Sequence, residues 1–555
     1  MERWHQRTQR FVSMAFALAI LVGFTTYNAH SAALSAVGLV WASVPFALAL
    51  LITRRPRLSA WLAVVLCTAL YLLSRIKIHY YKETLLASDA YLIADPSNWQ
   101  TVKHYPLAAI PLIVIAAGIV LLAVAYRREP HLGFRNTLTV SLLAAFHAAG
   151  AYALSRDSDI NTLWQASLPN GKNPYINLVM SMRMQLVPPN PRGDGSRFEA
   201  RMHDLPARAS GARPDIVVWL QESTVDPRRY DLPTSQLPRL RMLEIDSRTH
   251  VTGPLRVHTY GGGTWRSEFA LFTGLPSSDF GVAASAVFYV VTPHLTHSLF
   301  RELRQHGYRS VVLTPFNKSA YHARAAYADM GADIVLQPQD LGYPAEPSDN
   351  LWNISSAEMA AYAAKVLERY ADKPIFLFML TIKEHAPYDS SHRVAYGLEQ
   401  LADRALAGRL SDYFSRLEEL DKATQSFADA FLAPNNHPRM FMYFGDHLPA
   451  IDAPSLGFRI SVPEPHLVTQ FVLRDNLPQP AGETRPLTDI AYLGGLLLER
   501  AGLPVSRFYS ANITVRKACD GGLADCPNQQ LVADYQDYIY RRLQVLGPLP
   551  PARAP

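Results

Sequence analysis

Five stretches of the first 155 residues carry no Asp, Glu, Lys or Arg: Phe11 to Tyr27, Ala32 to Thr53, Leu58 to Ser74, Leu107 to Tyr126 and Thr137 to Leu154. Each approaches the roughly 20 apolar residues a helix needs to cross a hydrocarbon core. A cleaved signal peptide would account for the first and leave four unexplained. A chain of 555 residues built this way cannot be a single small soluble module, and residues 1–155 are expected to form a transmembrane domain of five helices.

Arginine and lysine near span ends are retained in the cytoplasm. Arg3, Arg7, Arg10, Arg54, Arg55, Arg57, Arg127, Arg128 and Arg135 fall on one face of the expected topology, while Arg75, Lys77, Lys82 and Lys103 fall on the other in a longer loop. An odd number of spans then puts everything after Leu154 outside the cytoplasm. The net charge of +6 owes much to these flanking arginines, and no basic stripe with interleaved aromatics appears downstream, so a nucleic-acid partner is not expected. The loop Arg75 to Tyr105 mixes Lys, Tyr and Trp with apolar residues as an interfacial segment does, though a plain loop resting on the bilayer is the simpler reading. Three cysteines cannot staple a fold. Cys519 and Cys526, with six residues between them in a turn-rich stretch of the oxidising compartment, are expected to be bonded, leaving Cys67 as a buried thiol in the third span.

From Ser155 the composition turns polar, and Val187 to Arg213 is rich in Pro, Gly and Arg, a linker signature. Residues 156–213 are read as a linker, 214–505 as a catalytic domain and 506–555 as a C-terminal extension. Within 214–505, strand-like runs at Asp215 to Leu220, Ser310 to Leu313, Asp333 to Leu336, Ile375 to Thr381 and Arg439 to Phe444 alternate with helix-like runs at Thr296 to His306, Ala320 to Met330, Ala357 to Tyr370 and Glu399 to Leu432. That alternation predicts an α/β domain on a mostly parallel sheet, whose ligands bind beyond the carboxyl ends of its strands.

Four such positions carry ligand-type or nucleophilic residues. The Asp215 run ends in Glu222-Ser223-Thr224. Gly261, Gly262 and Gly263 precede Thr264, and an amphipathic run comes after it. The Phe376 run leads to His385-Ala-Pro-Tyr388, and the Met440 run ends in Gly445-Asp446-His447. Taken singly, each is as readily a cap, a turn or a loop histidine. Together, Glu, Asp and His offer oxygen and nitrogen ligands to Zn²⁺, Mn²⁺ or Mg²⁺. A Thr at a helix start after glycines offers an oxygen whose ionisation a metal and the helix dipole favour.

This set resembles the alkaline phosphatase/sulfatase superfamily, most closely its membrane-anchored phosphotransferase branch of lipoteichoic acid synthases, phosphoglycerol transferases and, further off, phosphoethanolamine transferases. Ser267-Glu268-Phe269 and Leu271-Phe-Thr-Gly-Leu275 match the segment just after the nucleophile in the lipoteichoic acid synthase group. The resemblance implies a fold of alkaline phosphatase type and one divalent metal ion. It also implies Glu222, Thr264, Asp446 and His447 as metal ligands, Thr264 as covalent nucleophile and His385 as the catalytic histidine on the substrate phosphate. Thr264-Trp-Arg-Ser-Glu stands where true sulfatases need Cys or Ser in C/S-x-P-x-R, which disfavours sulfate-ester hydrolysis. The implied activity is transfer of a phosphoglycerol or phosphoethanolamine head group from a phospholipid donor to an envelope glycan or lipid acceptor. A phosphodiesterase of the same superfamily, with water as second nucleophile, and an inactive lipid-binding regulator are the alternatives. A regulator would have lost a ligand or the nucleophile, and all five positions here hold competent residues.

Overall fold

The computed structural model describes residues 2–27, 29, 31–99, 107, 109–168, 173–182, 192–202, 213–434, 437–451, 456–477 and 482–547. It divides into two units. One comprises Met1–Ala90 with Thr101–Met184, the other Tyr91–Gln100 with Gln185–Pro555.

In the first unit every apolar run is helical, over Glu2–Thr26, Ala32–Thr53, Pro56–Tyr81, Ala109–Arg128 and Phe134–Arg156. Ala32–Thr53 packs on Pro56–Tyr81 and Phe134–Arg156, and Pro56–Tyr81 also packs on Glu2–Thr26 and Ala109–Arg128. Small residues at the contacts, Ala42, Ala60 and Ala63, let backbones approach as membrane helices do. Glu129 accepts the amides of Arg57 and Leu58, satisfying orphan donors at the start of the third helix. Ile52, Leu121 and Phe146 are 70–80% exposed, which suits hydrocarbon and not water. Among the described residues, Ala32–Thr53 and Pro56–Tyr81 are long and apolar enough to cross a membrane, and Leu138–Leu154 with Ser158–Ser167, bent by 70°, forms a third candidate. Phe11–Thr26 and Ala109–Val124 are shorter apolar helices. Two to three of the five expected spans therefore meet the length criterion. Cys67 is a buried free thiol.

Among the described residues, the second unit is built on a nine-stranded sheet. In chain order its strands, with a separate two-stranded pair, are β1 Asp215–Gln221, β2 Tyr230–Asp231, β3 Thr249–Arg256, β4 Arg309–Leu313, β5 Ile334–Leu336, β6 Ile375–Leu380, β7 Arg439–Gly445, β8 Gly457–Phe458, β9 Val468–Asp475, β10 Glu483–Thr484 and β11 Thr488–Asp489. The order across the sheet is β10-β3-β9-β7-β1-β6-β4-β5, with β11 also on β3, while β2 pairs β8. β7, β1, β6, β4 and β5 run parallel, as the alternation of strand and helix predicts. β9 is antiparallel to both β7 and β3, so the sheet is mixed. β1, β6 and β7 are buried almost throughout, the pattern of central strands covered on both faces.

Ser356–Arg369 packs on β6 and on the long helix Arg404–Phe431. That helix starts five residues later than the apolar pattern suggests, because the Asp403 side chain caps it by accepting the Leu406 amide. Most of the expected linker stretch Val187 to Arg213 lies outside the described residues. Inside it, Gly195–Glu199 is a short helix whose Gly195 amide donates to Asp537 at 2.8 Å, with Phe198 buried against Tyr535 and Tyr538. Cys519 and Cys526 are joined in a disulfide.

Candidate active site

β7, β1 and β6 are neighbours and parallel, so the residues just past them share one edge of the sheet. Asp446-His447 come after β7, Glu222 after β1, and His385 lies in the loop after β6. The edges of β1 and β7 touch closely: a Cβ on Gly445 would lie 1.9 Å from the Thr224 carbonyl oxygen, a spacing that only glycine allows. Gly261, Gly262 and Gly263 have φ of 68°, 154° and 81°, a run that favours glycine. It turns the chain from β3 so that Thr264 opens the helix Thr264–Thr273. The Gly261 amide donates to the Leu448 carbonyl at 3.1 Å, tying the glycine turn to the Asp446-His447 loop.

Thr264 Oγ1 donates to Glu222 Oε2 at 3.3 Å. His447 Nε2 lies 3.3 Å from Glu222 Oε1 and 3.2 Å from Asp446 Oδ2. Ligand atoms of Glu222, Asp446 and His447 all fall within 4.8 Å of one another. Asp446 Oδ2 and His447 Nε2 are buried without a hydrogen-bond partner, a costly arrangement that a cation between them would relieve. His447 Nδ1 meets the Leu448 carbonyl at 3.0 Å. An Nδ1–H donated there leaves Nε2 with its lone pair free. Burial, and next the charge of Asp446, push the Glu222 carboxyl well above the usual carboxylate range. Burial also raises Asp446, with His447 opposing. Two buried carboxylates facing each other disfavour joint ionisation, and the three side chains could hold a divalent cation that offsets this.

His385 sits with its ring 5.2 Å from Trp352, edge to face, and its carbonyl accepts from Arg416 Nη1 at 2.9 Å. The structure thus gathers Glu222, Thr264, Asp446 and His447 in direct contact and sets His385 on the neighbouring strand end.

Several residues of the site take no role from the sequence alone, although Ser223 and Glu268 stand inside its motifs. Ser223, at φ 50°, bridges the acids: its amide donates to Asp446 Oδ1 at 2.9 Å and its hydroxyl to Glu222 Oε1 at 2.8 Å. Glu384 is buried, accepts from Ser356 Oγ at 2.6 Å, and is lifted by burial to about 7. Glu268, one helical turn after Thr264, accepts from Tyr327 OH at 2.5 Å and Tyr321 OH at 3.5 Å, and burial raises it to about 8. Adjacency to Glu222 and to His385 could have flagged Ser223 and Glu384. Nothing local marks Tyr321 and Tyr327, which arrive from a distant loop and helix.

The sulfatase family profile matches residues 214–503. An uncharacterized protein of Haemophilus influenzae is 37% identical over 495 residues, covering 87% of this chain and 90% of its own. The capsular polysaccharide biosynthesis protein RkpI of Rhizobium meliloti is 25% identical over 68% of this chain and 71% of its own length. Among solved structures, the Streptococcus pyogenes phosphoglycerol transferase GacH in complex with sn-glycerol-1-phosphate superposes with a TM-score of 0.51 at 20% identity, over 64% of this chain and 96% of GacH. That likeness is one of fold. The chain belongs to the sulfatase family, with an α/β domain of alkaline phosphatase type.

Proposed function

We propose that the protein is a membrane-anchored phosphotransferase that moves a phosphoglycerol head group, or a phosphoethanolamine, from a phospholipid to an envelope glycan or lipid through a phosphothreonine on Thr264. The observation that carries this reading is the position of Thr264 Oγ1 at a helix start, 3.3 Å from Glu222 Oε2, in a cluster whose ligand atoms on Glu222, Asp446 and His447 lie within 4.8 Å of one another. Glu222, Asp446 and His447 would hold one divalent ion of Mn, Zn or Mg type, which would supply Lewis-acid stabilisation of anionic oxygens. Thr264 Oγ attacks phosphorus, a P–O bond to threonine forms, and the P–O bond to diacylglycerol breaks. The Thr264 proton passes to solvent on attack, and the departing diacylglycerol oxygen takes a proton from solvent. N–H groups at the start of the Thr264 helix and His385 stabilise the charge on the nonbridging oxygens. An acceptor hydroxyl then displaces Thr264. A relative named for capsular polysaccharide biosynthesis supports the reading, and the fold shared with a phosphoglycerol transferase is compatible with it.

Mass spectrometry of the Thr264 peptide after incubation with native phospholipids tests it. A glycerophosphate adduct is expected, a phosphoethanolamine adduct would reassign the donor, and a bare Thr264 in a protein that still turns over lipid would overturn the phosphothreonine. In this reading the five apolar helices Glu2–Thr26, Ala32–Thr53, Pro56–Tyr81, Ala109–Arg128 and Phe134–Arg156 are spans and the second unit is extracytoplasmic. A C-terminal alkaline phosphatase fusion should be active and a green fluorescent protein fusion dark, whereas a bright fusion would sink the topology.

A further inference from the structure

The helix-like pattern from Ala320 to Met330 is interrupted in the fold. Ala320–His322 is a tight turn in which Tyr321 has φ 41° and ψ 34°, and His322 comes next at φ 66° and ψ 15°. Two successive non-glycine residues in the left-handed region are costly and persist only where their surroundings hold them. The surroundings come from the loop between the helices Pro56–Tyr81 and Ala109–Arg128, whose Tyr91–Gln100 stretch belongs to the second unit. Asn98 Oδ1 accepts the Tyr321 amide at 2.7 Å, and Ser97 Oγ donates to the Ser319 carbonyl at 2.8 Å. His322 stacks on Tyr289 at 4.8 Å. Tyr289 in turn packs on the Tyr91 ring at 5.6 Å, donates to Asp95 Oδ2 at 2.9 Å and accepts from Asn98 Nδ2 at 3.3 Å.

The held corner faces the chemistry. Tyr321 stacks on Trp265, next to Thr264, with centroids 5.5 Å apart and planes 29° apart. Its hydroxyl reaches toward Glu268 on the Thr264 helix. Without an acceptor for the Tyr321 amide, the alternative open to this sequence is the uninterrupted helix its pattern encodes, which would rotate Tyr321 off Trp265.

We propose that Tyr91–Asn98 is a clamp and Asn98 a positioning residue: by accepting the Tyr321 amide, Asn98 holds the left-handed corner that sets Tyr321 against Trp265 as a wall of the active site. The inference rests on the phosphotransferase reading for its effect on turnover. It makes a segment that is chain-continuous at both ends with the apolar helices a working part of the catalytic unit.

The test uses the full chain in detergent micelles with Mn²⁺, comparing wild type, Asn98→Ala and Asn98→Asp. Hydrogen exchange of the peptide containing Tyr321 reads the clamp, and kcat and KM for head-group transfer from phosphatidylglycerol read its consequence. In Asn98→Ala the Tyr321 amide should lose protection and kcat/KM should fall about tenfold or more with metal content unchanged. Asn98→Asp, which keeps an acceptor oxygen, should recover most of both. Unchanged exchange in Asn98→Ala, or faster exchange with wild-type kcat/KM, overturns the proposal. Tyr289→Phe covers the case of a misfolded Asn98 variant. It keeps the ring contacts, loses the hydroxyl held by Asp95 and Asn98, and should move exchange and kcat/KM in the same direction, with no change in either counting against the clamp. If wild type transfers no head group, the phosphotransferase reading falls separately. The clamp is then decided by calorimetric binding of sn-glycerol-1-phosphate: a loss of about tenfold in Asn98→Ala supports it, and equal affinity overturns it.

Discussion

Gly445 lies so close to Thr224 that a single added Cβ would meet the Thr224 carbonyl oxygen at 1.9 Å, and this contact joins the strand end bearing Asp446-His447 to the one bearing Glu222. Gly445→Ala must push the two loops apart. It should cost about 1–3 kcal/mol of stability, as overpacking does, and weaken metal binding, measured by metal content of the purified protein. A variant with full metal content and wild-type melting would show that the approach is not needed.

Ligands and nucleophile should separate experimentally. Thr264→Ala should fold, keep metal and abolish transfer, while Thr264→Ser keeps part of the activity because the oxygen remains. Glu222→Ala and Asp446→Ala should lose metal. A divalent ion at 100 times its Kd should stabilise wild type by about 2.7 kcal/mol, and that gain should be absent from the two ligand variants. If Thr264 only caps its helix, Thr264→Ala loses about 0.5–2 kcal/mol and leaves turnover intact, an outcome that a radiolabelled head-group assay would detect.

His385 stands on a different strand end from the Asp446-His447 pair, with its ring against Trp352. His385→Ala should leave metal content near wild type and lower turnover by roughly 10² or more. Metal loss in that variant would move His385 into the ligand set.

Glu268 gives a pH dependence with a definite sign. Burial lifts its carboxyl from an ordinary 4.5 to about 8, against the hydrogen bonds from Tyr327 and Tyr321. The folded state therefore holds a proton that the unfolded chain releases above its own pKa. Stability is unaffected by this group below about pH 4.5 and falls as pH rises toward 8, by up to about 1.4 kcal/mol per pH unit. Glu268→Gln should remove that contribution, so its urea midpoint should gain on wild type steadily across the window. Parallel curves for the two proteins would refute the assignment.

What the sequence determined by itself is what short-range chemistry decides. Runs without charge over some 20 residues became five apolar helices of the first unit. The buried strands Asp215–Gln221, Ile375–Leu380 and Arg439–Gly445 are short apolar runs closed by polar residues, and the Glu222, His385 and Asp446-His447 beyond them were legible for that reason. Thr264 was legible because three glycines and an amphipathic run bracket it.

Tertiary structure decided what those signals could not. Thr249–Arg256 contains Gly253 and Pro254, which argue against a strand, yet it forms one by pairing with β9, β10 and β11. Ala320–Met330 has the period of one helix, and the fold breaks it at Tyr321 because Asn98, more than 200 residues earlier, offers the amide a partner. The Glu268, Tyr321 and Tyr327 cluster, the Ser223 bridge between two acids and the approach of Gly445 to Thr224 are long-range or strained contacts. Local periodicity reports which face of an element is buried; it carries no information on which distant side chain meets it there.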